Sequence, residues 1–123
     1  MPAVAFDAVL EEFQEEGTPN LSPTRIAERF SIQLQELAAL AGVHRNTVRL
    51  HPESPKLQDY LRNLVRVLSA AATIQPDLER TIFFLKNAPI VAFEHKTAYQ
   101  LVSEGRTDDV IRYFESIRSG YVG

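Results

Sequence analysis

Leu57, Leu61, Leu64, Leu68 and Ala72 recur at helical spacing, with Tyr60, Val65 and Ala71 beside them. A recurrence at i, i+4, i+7 and i+11 puts these side chains on one broad apolar stripe, about four turns long. A helix of that kind is buried along most of its length and needs other helices around it, so the stripe, over residues 57 to 73, is read as the central helix of the fold.

The rest of the chain keeps the helical period. Phe6, Val9, Leu10 and Phe13 share one face of a short helix whose other sides carry Glu11, Glu12, Glu15 and Glu16, and Gly17 and Pro19 end it. Ser22 before Pro23 reads as an N-cap followed by proline in the first turn, where a missing N–H costs nothing, and opens a helix to about Phe30. Ser31 is expected to cap the next, with Leu34, Leu37, Ala38 and Ala41 inward and Gly42 as its stop. Asn46 to Leu50 forms a very short helix halted by Pro52 and Pro55. Pro76 and the acids after it start a helix from about Asp77 to Lys86, carrying Leu78, Ile82, Phe83 and Leu85. After the break at Asn87 to Pro89, Ile90 to Phe93 reads as a turn of helix. Thr97 to Glu104 is a short helix ended by Gly105. Thr107 is expected to cap a last one with Asp108 and Asp109 in its first turn, Val110, Ile111, Phe114 and Ile117 inward, and Gly120 at its end. No stretch alternates with period two, so the fold class is all-α.

Composition sets the limits around this pattern. At 123 residues with 45% hydrophobic side chains the chain has room for one domain or two small modules, which excludes a multi-domain enzyme. The absence of cysteine removes disulfides, thiolate zinc sites, thiol nucleophiles and iron–sulfur clusters. No apolar run approaches the ~18 residues of a membrane span, and the N-terminus has no basic region ahead of an apolar stretch, so a cytoplasmic location without membrane contact is expected. The net charge of −3 is uneven: −5 over residues 1 to 20, +3 over residues 21 to 66 and −1 over the remainder. A polyanion would therefore be met by the middle of the chain.

That basic segment contains the first functional motif. In a helix-turn-helix the first helix needs a small residue where the second crosses it, the turn needs a residue that tolerates positive φ, and the second helix needs a buried β-branched anchor. Ala38, Gly42 and Val48 stand at those spacings, flanked by Leu37 and Val43. The segment from Leu37 to Val48 resembles the helix-turn-helix of the Cro and Xre repressor families. If its second helix enters a major groove, Arg45, Asn46, Thr47 and Arg49 are at its leading end. Arginine suits guanine O6 and N7, asparagine suits adenine, and threonine suits a base edge or phosphate. Gln33 and Lys56 are placed to hold the duplex backbone. The sequence departs from the pattern at His51, where these families bury a large apolar residue, and at Pro52, which stops the helix at once.

The second motif runs from residue 87 to the end. Asn87-Ala88-Pro89, Glu94-His95-Lys96-Thr97-Ala98, Leu101-Val102, Gly105, Val110, Ile117 and Gly120 look like the C-terminal toxin-binding domain of the MbcA/ParS/Xre antitoxins. With the helix-turn-helix upstream, the resemblance covers nearly the whole chain. Ala98 departs from it, standing where the family has proline, and so does the lack of a tryptophan near Phe83 to Leu85. The resemblance implies a type II antitoxin whose partner is a RES-domain toxin, an enzyme that degrades NAD, blocked by the antitoxin's C-terminal end at its active-site entrance. Tyr121, Val122 and Gly123 after Gly120 are the expected plug, with an aromatic anchor, an aliphatic contact and a carboxylate to mimic phosphate; Arg112, Tyr113 and Arg118 are the expected rim.

The remaining polar residues have plainer readings. Asp108 and Asp109 compensate a helix dipole, and the acids at 11 to 16 form a solvated face over Phe6 and Phe13. His44, His51 and His95 are scattered without metal-ligand spacing. Glu94 and His95, adjacent on a helix, point in different directions. Neither catalysis nor a cofactor is expected. The chain is thus read as an acidic amphipathic helix (1–20), a helix-turn-helix module with the long helix (21–73) and a toxin-binding module (74–123), dimeric so as to meet a palindromic operator. The competing reading is a stand-alone transcription regulator whose C-terminal module only dimerises.

Overall fold

A computed structural model describes residues 11–120. The expectations for Phe6, Val9 and Leu10, and for Tyr121, Val122 and Gly123, lie outside the described residues. Within them the chain forms α1 (Pro23–Arg29), α2 (Leu34–Ala41), α3 (Arg45–Leu50), α4 (Pro55–Ala72), α5 (Leu78–Asn87), a 3-10 turn (Val91–Phe93), α6 (Ala98–Ser103) and α7 (Thr107–Arg118). The fold is all-α. The extended pairing among the described residues is confined to two isolated bridges, Gln14 with Leu21 and Ile90 with Lys96.

Local chemistry sets most helix ends. Ser22 Oγ accepts the Arg25 N–H at 3.2 Å, and Pro23 opens α1. Asp77 caps α5 by accepting from the Glu79 and Arg80 N–H groups. Thr97 and Gln100 form a reciprocal capping box on α6. Ala98 is the first residue of α6. No intrahelical N–H bond is needed at that position.

Two cap expectations are corrected. Ser31 does not cap α2: it has φ +56° and closes α1 instead, its N–H donating to the Glu28 carbonyl while the Ile32 N–H reaches the Ala27 carbonyl at 2.8 Å. This is the left-handed helix stop usually given to glycine. Gln33, in extended backbone, precedes α2 without a side-chain cap. Thr107 lies inside the first turn of α7, and its buried hydroxyl has no hydrogen-bond partner. Phe83 is 70% exposed. The buried side of α5 is set by Ile82 and Leu85, and Phe83 is rotated about 100° from Ile82.

The stripe on α4 is the centre of the core. Leu57, Leu61, Leu64, Val65, Val67 and Leu68 are completely buried, and α4 packs on α2, α5, α6 and α7. Each such leucine contributes roughly 1.5–3 kcal/mol by burial. Phe13 joins from the N-terminal side, its ring 5.8 Å from that of Phe30, which lies 6.1 Å from Tyr99. One continuous core thus draws on residues from Phe13 to Phe114.

Hydrogen bonds fasten the C-terminal segment to the helices before it. Tyr99 Oη donates to the Phe30 carbonyl at 3.0 Å, Tyr60 Oη to the Tyr99 carbonyl at 3.2 Å, Ser103 Oγ to the Leu40 carbonyl at 2.6 Å, and Lys86 Nζ to the Ser31 carbonyl. Burial, followed by nearby Glu36, pushes the Tyr60 hydroxyl well above its usual range; for Tyr99 the order is burial, Tyr60 and Glu36. Both stay neutral in the fold, whereas in the unfolded chain they ionise near the ordinary value of 10.0. The unfolded state therefore releases protons first as pH rises. Stability should be full below pH 10 and fall above it by up to about 1.4 kcal/mol per pH unit for each tyrosine. Urea unfolding across pH 8 to 11 checks this: Tyr99→Phe should flatten the slope, and an unchanged slope would remove Tyr99 as its source.

Candidate functional site

The candidate site lies between α2 and the start of α4. Ala38 and Val48 are buried where α2 and α3 pack. Gly42, at φ +72°, ends α2, with the Val43 N–H on the Ala38 carbonyl at 3.0 Å and the Gly42 N–H on that of Ala39 at 3.2 Å. These paired bonds reverse the chain sharply enough for α3 to begin three residues later. His44 then caps α3, its Nδ1 accepting the Asn46 N–H at 3.1 Å.

With Val48 turned inward, Arg45, Asn46 and Arg49 are exposed and Thr47 is half-buried. Arg45 and Arg49 stand one turn apart on the same side, as do Asn46 and Leu50. Lys56, in the first turn of α4, folds back over the turn: a Cβ added at Gly42 would lie 3.2 Å from both Lys56 Cε and Nζ. Gln33 is exposed beside the start of α2. Among the described residues, Arg45, Arg49 and Lys56 take part in no ion pair, and neither do Arg25, Arg62, Lys86 and Arg118, whereas Arg29, Arg66, Arg80, Lys96, Arg106 and Arg112 all do; Arg45, Arg49 and Lys56 differ in being gathered around one turn. The structure thus gathers Arg45, Asn46, Thr47 and Arg49 on one short helix, with Lys56 at the turn before it. His51 is exposed and 3.3 Å from Glu53 Oε1, so it adds nothing to the core.

Leu50 was legible in the sequence only as the end of α3. It is 66% exposed, an apolar side chain on a cationic helix.

The second surface surrounds the end of α7. Arg112 is exposed and pairs with Asp109 at 3.6 Å. Tyr113 is half-buried, its ring edge-on to Phe93 at 5.6 Å and 5.8 Å from Phe114, so it braces the module from within. Arg118 is exposed and lines a shallow groove with Arg66, Ile111 and Glu115. Gly120 takes φ +83°, its N–H on the Ile117 carbonyl, and ends the helix. A second groove of about 410 Å³ opens between α4, α5 and α7, walled by Ala71, Ile74, Phe84, Phe114 and Ile117 with Arg80 beside them. Ile74 and Phe84 are 39% and 42% exposed there. This groove was not legible in the sequence, because its walls come from three helices.

Residues of the C-terminal motif have local structural duties. Ile90 and Lys96 bridge a loop that turns through two consecutive left-handed residues, Glu94 and His95. Leu101, Val102 and Val110 are buried, and Gly105 takes φ +79° between α6 and α7. Glu94 and His95 are exposed. Among the described residues, no three histidine, aspartate or glutamate side chains converge as a metal site, and no helix is long and apolar enough to cross a membrane. Compared with protein-family models, curated proteins and solved structures, the chain matches none.

Proposed function

We propose that this chain is the antitoxin of a type II toxin–antitoxin pair. It neutralises a RES-domain, NAD-degrading toxin with the surface at the end of α7 and the residues Tyr121, Val122 and Gly123, and it binds operator DNA as a homodimer through α2, α3 and Lys56. The observation that carries the DNA half is the set of unpaired cations, Arg45, Arg49 and Lys56, around a tight turn between two helices. Elsewhere Arg29, Arg66, Arg80, Arg106 and Arg112 are matched to carboxylates, and the unmatched Arg25, Arg62 and Arg118 are not gathered with one another on one short helix. A cation left without an internal partner on a helix that also exposes asparagine suits a duplex, where phosphates take the charge and base edges take the amide.

The toxin half rests on the resemblance of residues 87 to 120, supported by the apolar groove and Arg118 on either side of α7. Inhibition in this reading is steric. The antitoxin occupies the space through which NAD enters and contributes no chemistry. The cytoplasm is then its place of action, since both partners are there. The groove equally suits a second copy of the chain, which is the stand-alone regulator reading. Co-expression with a RES-domain toxin separates them: restored growth supports the antitoxin, and toxicity unrelieved by folded chain overturns it.

DNA binding has its own expected outcome. If the three cations of each protomer meet phosphates in a dimer, log K should fall with log salt at a slope of roughly −5. Arg45→Ala with Arg49→Ala should weaken a mobility shift by at least about 10-fold and flatten that slope, with thermal stability unchanged. No shift by the unaltered chain at low salt would leave α2 and α3 only a packing role.

A further inference from the structure

We infer that Leu50 is a specificity-determining residue of the DNA-binding face, reading the C5-methyl group of a thymine close to the base that Asn46 reads. The inference rests on the DNA half of the reading above. Leu50 is 66% exposed and belongs to no part of the apolar core. Val48 already anchors α3 from the buried side, and the His51 N–H closes the helix on the Thr47 carbonyl at 2.8 Å, so the fold makes no demand for leucine at position 50.

The neighbours of Leu50 indicate what would cover it. Asn46 lies one turn before it on the same side of α3, and Arg45 and Arg49 flank the pair without ionic partners of their own. An apolar protein surface laid over Leu50 would desolvate these cations without compensation; a polyanion would compensate them. In the major groove the apolar feature among the base edges is the thymine methyl. Residues four apart on a helix are separated by about 6 Å along its axis, which spans one to two base-pair steps of about 3.4 Å. Asn46 on an adenine therefore sets Leu50 against a thymine methyl within two steps, and A·T pairs should dominate that part of each half-site.

Selection by the full-length chain from a random duplex pool supplies the probe. In the duplex recovered, each thymine is replaced in turn by deoxyuridine, which removes only the methyl group. At one position per half-site the substitution should weaken binding by roughly 4-fold, the value of one buried methyl-sized group. Leu50→Ala should bind thymine and deoxyuridine duplexes alike while keeping the salt slope of the unaltered chain. Equal binding of every deoxyuridine duplex by the unaltered chain overturns the inference, as does a Leu50→Ala chain that still distinguishes the methyl. If Leu50→Ala keeps that discrimination but loses self-association, Leu50 is a protein contact. Failure to recover any duplex overturns the DNA reading itself, and the inference with it.

Discussion

Gln58→Leu should destabilise the protein by about 2 to 5 kcal/mol, although leucine is apolar and of similar size. Gln58 is buried on α4 among the leucines of the core. Its Oε1 accepts the Leu21 N–H at 2.8 Å, and its Nε2 donates to the Leu21 carbonyl at 2.9 Å and the Pro52 carbonyl at 2.7 Å. One amide thus satisfies both backbone groups of a buried residue ahead of α1 and ties down the connection between α3 and α4. Leucine would leave those groups unmatched away from water, where each costs about 1–3 kcal/mol. Because Pro52 follows α3, the change should also loosen the setting of the face proposed to bind DNA. Urea unfolding measures the effect; a loss below about 1 kcal/mol would show that water replaces the amide.

Deleting Tyr121, Val122 and Gly123 should abolish the proposed neutralisation of a RES-domain toxin, weakening the proposed complex by at least about 100-fold, the scale of an aromatic anchor removed together with its neighbour. The fold should not notice. Among the described residues the core is complete by Phe114 and Ile117, and α7 is already closed at Ser119 and Gly120. The melting temperature of the shortened chain should therefore stay within about 2 °C of the original, well inside the shift expected for losing 1 kcal/mol. Calorimetric titration with a catalytically dead toxin reads the affinity. A shortened chain that binds as tightly would move the contact away from the tail, to the groove of Ile74 and Phe84 or elsewhere.

What was legible in the sequence follows from what is local. The α4 stripe could be read because apolar spacing alone makes a helix one-sided, and Ala38, Gly42 and Val48 because each answers a steric demand of the turn. Ser31 was misread because serine is a common N-cap, whereas its role here, a left-handed stop at φ +56°, is one for which sequence favours glycine. Gln58 gave no signal, since its partner Leu21 is 37 residues away and offers only its backbone. Leu50 and Phe83 carry the same apolar signal as their buried neighbours, and only the assembled helices decide which faces water. The candidate site divides in the same way: the cations of α3 could be named from spacing, but Lys56 over Gly42 and the groove at α7 depend on tertiary structure.

In the proposed function this chain stops an NAD-degrading enzyme by occupying its entrance. The most direct measurement is NAD remaining over time with a fixed amount of RES-domain toxin and increasing amounts of the full-length chain. NAD loss should fall in proportion to the chain added and cease at a fixed molar ratio, with preincubation of the toxin with NAD slowing the onset of inhibition. Undiminished NAD consumption in the presence of a molar excess of folded chain would contradict it.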